Sequence, residues 1–237
     1  MQPHVFLGTP AFNNKVNTEF ALSLISLNIL LKENGVSISN HLCPSGSLLV
    51  AERNRIVEDF YRSEATHLLC VDSDLGFPPE AVLAMLKADK EFVAGVYPAR
   101  LEHNAEAAEY LIRPKLTDKS IIVQDGHLLA AEYIPAGFML LSRAAVQKMR
   151  DKFPELYYQP KLEERKDQHA YLFFNTEVHE GEFWGEDYVF CRRAIQAGID
   201  IWVDPFIQFN HNGKIGMLYE YMKENNMIKS FEKKDKK

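Results

Sequence analysis

His67 to Phe77 reads "HLLCVDSDLGF". The apolar run Leu68-Leu69-Cys70-Val71 has the length and the continuous hydrophobicity of a strand covered on both faces. It ends in two carboxylates with one serine between them, Asp72-Ser73-Asp74. Carboxylates at the end of a core strand have three chemical uses: to hold a divalent metal, to share a proton, or to act as nucleophile and acid. A solvated turn capped by aspartates is the plain alternative.

The flanking sequence decides what kind of strand this is. Val5–Gly8 is a short apolar strand that breaks at Thr9-Pro10. Val16, Phe20, Leu24, Leu27 and Leu31 fall at helical spacing, with Gly35 at the C-cap. Residues 36–42 alternate as a strand, and Ser47 is placed to cap a helix running to about Tyr61. After the aspartates, Pro78-Pro79 starts a helix to about Ala88, and residues 92–96 form another strand. This alternation predicts a parallel sheet with helices on both faces, which binds ligands at the carboxyl ends of its strands.

The second half is less regular. "IIVQDGHLLAAEY" is a hairpin with Asp125-Gly126 as its turn; "AGFMLLS" is a strand followed by a helix from about Arg143. Residues 152–182 read as an active-site loop or lid, with strand pieces near Tyr157 and Tyr171. "GEDYVFCRRAIQAG" is helical, and "IDIWVDP" and "FIQFNH" are short strands. No repeat or linker divides the chain. The expectation is one domain over residues 1–237: a nucleotide-binding half (1–96), an acceptor-binding half (97–215), and a C-terminal helix with a basic tail (216–237).

Composition narrows the function. The 237 residues are 46% hydrophobic and 25% charged, with 27 basic against 33 acidic side chains and a net charge of −6. That balance gives no field to attract nucleic acid. No apolar segment approaches the roughly 18 residues that span a bilayer, and the N-terminus lacks a signal peptide's basic start. The basic tail "KSFEKKDKK" leaves weak contact with an anionic membrane open. Cys43, Cys70 and Cys191 lack metal-site spacing and read as reduced core residues, so a cytoplasmic location is expected.

"HLLCVDSDLGFPPEAVLAML" resembles the D-x-D region of GT-A glycosyltransferases, and the order of motifs agrees over about residues 4–215: "GTPAF", "RN" on a helix, the D-x-D, "PAGFMLLSRAAV", "WGEDYVFCRRAIQAG", and "HNGK" after a strand. The resemblance implies an α/β GT-A fold, a Rossmann-like mixed and mostly parallel sheet flanked by helices, and transfer of a sugar from a nucleoside-diphosphate donor, UDP before GDP, to a hydroxyl of a glycan or other acceptor. It implies Mn²⁺ or Mg²⁺ at Asp72 and Asp74, with Ser73 between them and His211 as third ligand. Oxygen ligands suit both ions, and imidazole favours Mn²⁺. The ion is needed because two carboxylates alone repel a diphosphate.

Other positions follow from the same resemblance. Thr9, Pro10 and Ala11 would grip base and ribose, and Arg53 would approach the nucleotide. Gly137 would mark close backbone approach near donor or acceptor. Gly213 would let backbone near phosphate, and Lys214 would neutralise the leaving group. Trp184 would stack on a sugar. Asp187 would be the acceptor-side base, with Glu186 orienting donor or acceptor. "WGED" points to inversion and "H-x-G-K" to retention; inversion is the reading taken. Plain alternatives stand beside these: Arg53 as a surface helix charge, His211 as a structural histidine, Glu186-Asp187 as acids complementing a helix dipole, and Trp184 as core.

Two other classes compete. Haloacid-dehalogenase-type phosphatases and phosphotransferases also carry D-x-D after a strand, but near the chain start and with Thr or Val where Gly76 stands. A catalytically silent nucleotide-binding module would not need both acids and the histidine. Nucleotidyltransferases would need a Gly-rich phosphate loop that "GTPAFNN" does not supply.

Overall fold

The computed structural model describes residues 2–45, 48–99, 109–117, 120–124, 127–159 and 169–228. Ser47, the Asp125-Gly126 turn and the basic tail lie outside these residues, as do residues 160–168 of the expected lid.

Among the described residues the central sheet has nine strands. From one edge they run Ser37–Ser45, His4–Phe12, His67–Val71, Phe138–Ser142, Phe92–Ala94, Ile201–Val203, Leu128–Tyr133 and Arg113–Pro114; Val123–Gln124 also pairs with Leu128–Tyr133. All run one way except Phe138–Ser142 and Leu128–Tyr133. The sheet is therefore mixed and mostly parallel, with helices on both faces, as expected.

Alternation along the strands explains the two cores. Val5, Leu7, Leu69 and Val71 point to one face and pack with Phe20, Leu27 and Leu31 of the Thr18–Glu33 helix and with Val82 and Met85 of the Pro79–Lys87 helix. Phe6, Leu68 and Cys70 point to the other and meet Ile56, Phe60, Val146, Met149 and Phe190. Those come from the Leu49–Arg62, Arg143–Lys152 and Glu186–Gln196 helices. Burial on both faces is why these strands read as unbroken apolar runs. Ser142 caps its helix by accepting from the Ala145 N–H at 3.1 Å, and Gly35 and Gly198 close two other helices with φ of +69° and +79°.

The first strand differs from the sequence expectation. It continues through Thr9-Pro10 to Phe12, because its ladder with Ser37–Ser45 extends to Phe12 and Ser45. Pairing with His67–Val71 stops at Gly8 and Cys70. Pro10 thus sits where the strand has a single neighbour, a place sheets allow proline.

The strand that alters the most is Phe138–Ser142. It enters antiparallel between His67–Val71 and Phe92–Ala94, so Gly137 lands beside the end of the aspartate-bearing strand. A smaller three-stranded sheet stands at the same end, built from Leu75–Gly76, Gln208–His211 and Lys214–Met217. In the expected lid, Tyr157–Tyr158 pairs with Ala170–Tyr171, and Glu177–His179 forms an additional hairpin with Glu182–Trp184.

Candidate active site

The two aspartates leave the strand into different surroundings. The Asp72 N–H donates to the Gly137 carbonyl at 2.9 Å, and the Ser73 carbonyl accepts from the Asn17 N–H at 2.8 Å. The Asp72 carboxylate is held on both oxygens. Arg53 Nη2 donates to Oδ1 at 2.9 Å, and the Tyr97 hydroxyl donates to Oδ2 at 3.2 Å. Burial, then the nearby Asp72 charge, pushes the Tyr97 phenol well above its usual range, so it is a donor across ordinary pH.

Arg53 is 6% exposed, so it is not a surface helix charge. Its guanidinium contacts Asp72, Ala136 and Glu186. Nη1 donates to the Ala136 carbonyl at 3.1 Å, and Nε faces Glu186 Oε1 at 3.8 Å. Burial works against the charge, but Asp72, Tyr97 and Glu186 outweigh it and hold the arginine firmly protonated. Arg53 therefore ties the strand-end aspartate to the start of the Glu186–Gln196 helix.

Asp74 turns toward the small sheet. His211 pairs with Leu75 across that sheet, which brings His211 Nε2 to 3.5 Å from Asp74 Oδ2. His211 Nδ1 lies 2.6 Å from the Pro98 carbonyl, an oxygen that can only accept, so Nδ1 carries the hydrogen. With that tautomer, a neutral ring would direct its Nε2 lone pair toward the Asp74 side. Asn212 Nδ2 donates to Asp74 Oδ2 at 3.1 Å, and Asn17 Nδ2 donates to Asn212 Oδ1 at 2.8 Å. Asp74 and His211 are both buried.

This pair fits one end of a divalent-ion site. A hard carboxylate oxygen and an imidazole with its other nitrogen fixed by a carbonyl are the donor chemistry and supporting contact that such ions use. Mg²⁺-like ions fill their remaining positions with water and substrate phosphate. Among the described residues no group of three or more His, Cys, Asp and Glu gathers for a metal. The structure brings Asp74 and His211 together, and the Asp72 carboxylate contacts Arg53 and Tyr97.

The remaining expectations resolve individually. A Cβ on Gly137 would stand 2.1 Å from the Tyr97 hydroxyl and 2.3 Å from Asp72 Oδ2, so the close approach is to these side chains. Asn212 and Gly213 have φ of +53° and +84°, the Asn-Gly two-residue hairpin turn; a Cβ on Gly213 would meet nothing, so the turn is what the glycine serves. Lys214 pairs directly with His211 across that hairpin, on the same face. Thr9, Pro10 and Ala11 have buried side chains, and Thr9 Oγ1 has no hydrogen-bond partner among the described residues. Phe12, 59% exposed, is the open residue at that strand's tip.

Glu186 and Asp187 start their helix beside Arg53. Burial first, and the neighbouring Glu186 second, raise the Asp187 carboxyl above its ordinary value, although the Tyr188 N–H donates to Oδ1 at 2.9 Å. Trp184 does not join this cluster. It stands edge-on to His179 at 5.0 Å, under Arg192, and lines a separate groove along the helix.

Sequence reasoning missed Tyr97, Pro98, Asn17 and Asn212. The Asn212-Gly213 pair between two apolar runs was the signal available for the hairpin; nothing local marked the others.

No protein-family model matches the chain, and no curated protein matches it. Solved structures similar to it include GalNAc-T7 with UDP, GalNAc and Mn²⁺, at TM-score 0.44 and 10% identity over 89% of this chain. S. aureus TarS 1-349 is similar at TM-score 0.41 and 14% identity over 86% of it. The chain spans 44% and 58% of the length of those two chains. Residue roles are accordingly read from this chain's own side chains.

Proposed function

We propose that the protein is a metal-dependent glycosyltransferase of the GT-A type. In this reading it moves a hexosyl unit from a nucleoside-diphosphate sugar, with UDP the preferred nucleotide, to a hydroxyl acceptor. The observation that carries this is the pairing of Asp74 Oδ2 with His211 Nε2 at 3.5 Å, with the imidazole oriented by the Pro98 carbonyl at a strand end. Mn²⁺ or Mg²⁺ held by Asp74 and His211 would offset the diphosphate's charge as the nucleotide departs.

The chain's own residues supply the rest. Arg53 and Tyr97 fix the Asp72 carboxylate, which leaves it placed for ribose or ordered water rather than for the ion. Lys214, on the His211 side of the hairpin, adds a cation for the departing phosphate. Asp187 is the base that takes the proton of the acceptor hydroxyl, and its raised pKa brings it toward the pH at which it must work. A carboxylate in that role supports inversion. Phe12, exposed at the tip of the strand that carries Thr9, Pro10 and Ala11, is the surface offered to the base. Cys43, Cys70 and Cys191 are free and buried, which supports a reducing, cytoplasmic setting. Among the described residues no helix is long and apolar enough to cross a membrane.

The test is a donor screen: nucleotide sugars incubated with Mn²⁺ and the protein, with released nucleotide measured. A metal-dependent release from one donor is expected. Release of inorganic phosphate without nucleotide would favour the phosphatase reading instead.

A further inference from the structure

Two asparagines from opposite ends of the chain meet beside Asp74. Asn17 opens the Thr18–Glu33 helix, and Asn212 sits in the turn between Gln208–His211 and Lys214–Met217. They are 195 residues apart in sequence and touch side chain to side chain.

The chemistry of the three groups fixes the direction of the hydrogen bonds. An ionised carboxylate only accepts, so Asn212 turns its Nδ2 to Asp74 Oδ2, at 3.1 Å. Its Oδ1 then faces Asn17, and Asn17 Nδ2 donates to it at 2.8 Å. The Asn17 main chain closes the ring: its N–H donates to the carbonyl of Ser73, between the two aspartates, at 2.8 Å. Helix start, aspartate turn and hairpin turn are thus clasped around one carboxylate.

Asn17 makes these contacts at the expense of its own helix. An asparagine at the N-cap ordinarily accepts from an N–H of the first turn. Asn17 has the extended backbone that allows this, with φ −77° and ψ 156°, yet its side chain makes no capping hydrogen bond. Its amide is turned to the hairpin instead. Asn212 is exposed and Asn17 half-buried. A hydrogen bond within reach of water replaces one to water and adds little net stability. What the two amides supply is orientation.

We propose that Asn17 and Asn212 are positioning residues which, acting in series, hold the Asp74 carboxylate toward the ion it shares with His211; this rests on the metal-dependent reading of that pair. A carboxylate already fixed on one side does not have to be ordered when the ion arrives, which is how supporting contacts raise the affinity of a metal site.

Asn212→Gly is the decisive variant, because glycine accepts the same positive φ and only the amide is lost. Mn²⁺ is to be titrated without nucleotide and the free ion read by its paramagnetic resonance signal, in the unaltered protein, Asn17→Ala, Asn212→Gly, the double variant and Asp74→Asn. Each asparagine variant should bind Mn²⁺ about tenfold more weakly or worse, the low end of the range for supporting contacts. The double variant should match Asn212→Gly alone, since the Asn17 side chain acts through Asn212. Asn17→Ser should lose the same affinity while its Tm rises by about 2–4 °C, the gain of the cap that the asparagine forgoes. A merely structural contact would lower the Tm as well. Unchanged Mn²⁺ affinity in Asn212→Gly, or losses that add in the double variant, overturns the relay and leaves the ion site standing. Mn²⁺ binding that is absent from the unaltered protein, or indifferent to Asp74→Asn, removes the ion site and the relay with it.

Discussion

Arg53 Nη2 donates to Asp72 Oδ1 at 2.9 Å, across an arginine that solvent barely reaches. The same guanidinium faces Glu186, so one buried cation joins the strand-end aspartate to the acceptor-side helix. Removing it would leave two carboxylates without their counter-charge in a partly buried setting. Arg53→Ala should destabilise the fold by about 3–5 kcal/mol, the cost of breaking a buried ion pair. Arg53→Lys should recover only part, since an ammonium cannot reach Asp72, Ala136 and Glu186 with one planar fork. Urea unfolding of both variants measures this; a loss below about 0.5 kcal/mol, the range of ordinary surface changes, would show that Arg53 is not the tie.

Gly137→Ala tests the geometry of the strand end. The added methyl would overlap the Tyr97 hydroxyl and Asp72 Oδ2, both held by their own hydrogen bonds. A cost of about 1–3 kcal/mol is expected from overpacking. Adding Tyr97→Phe should relieve part of that cost by removing the nearer oxygen, a non-additive pair in a double-mutant cycle. Strict additivity would place the two residues out of contact.

The sequence displayed the sheet because its strands are buried on both faces. Val5–Leu7 and Leu68–Val71 are apolar without a break, and Gly35 closes the first of the helices between them. It displayed the aspartates because carboxylates at a strand end are conspicuous. It did not display which carboxylate meets which partner. Asp72 is held by Tyr97 and Asp74 faces His211 only because Phe138–Ser142 inserts antiparallel and the Gln208–His211 hairpin pairs with Leu75–Gly76. Those pairings are long-range and leave no local pattern. The surface-charge alternative for Arg53 stayed open for the same reason: its burial is set by Ala136, Phe174 and Glu186, distant in sequence.

Asp187 sets an expected pH dependence. Its carboxyl is raised above the ordinary range by burial and then by Glu186. A general base works deprotonated, so kcat/KM should fall as pH drops through this raised value, at higher pH than for an ordinary aspartate. Glu186→Gln removes one raising cause and should move that acid limb to lower pH. Stability runs the other way: the folded state binds this proton more readily than the unfolded chain, so the contribution is present at low pH and lost as pH rises through the folded value. An acid limb unmoved by Glu186→Gln, and still present in Asp187→Asn, would remove Asp187 as the base.

Lys214 lies opposite His211 on the hairpin. Charge on a departing diphosphate grows toward the transition state, so a fixed cation there favours the transition state over the bound donor. Lys214→Ala should lower kcat by roughly 10²–10³, as loss of comparable preorganised partners does, with little change in donor KM. A variant with normal kcat and a raised KM would put Lys214 in donor binding alone.

The central claim is that Asp74 and His211 hold a divalent ion on which nucleotide binding depends. Calorimetry of UDP with Mn²⁺, after chelation, and in Asp74→Asn and His211→Ala measures it directly. Binding should be strong with Mn²⁺, absent after chelation, and weakened at least about 10–100-fold in both variants, the range for perturbed metal sites. UDP affinity that is the same with and without Mn²⁺, or unchanged by both substitutions, would contradict the account.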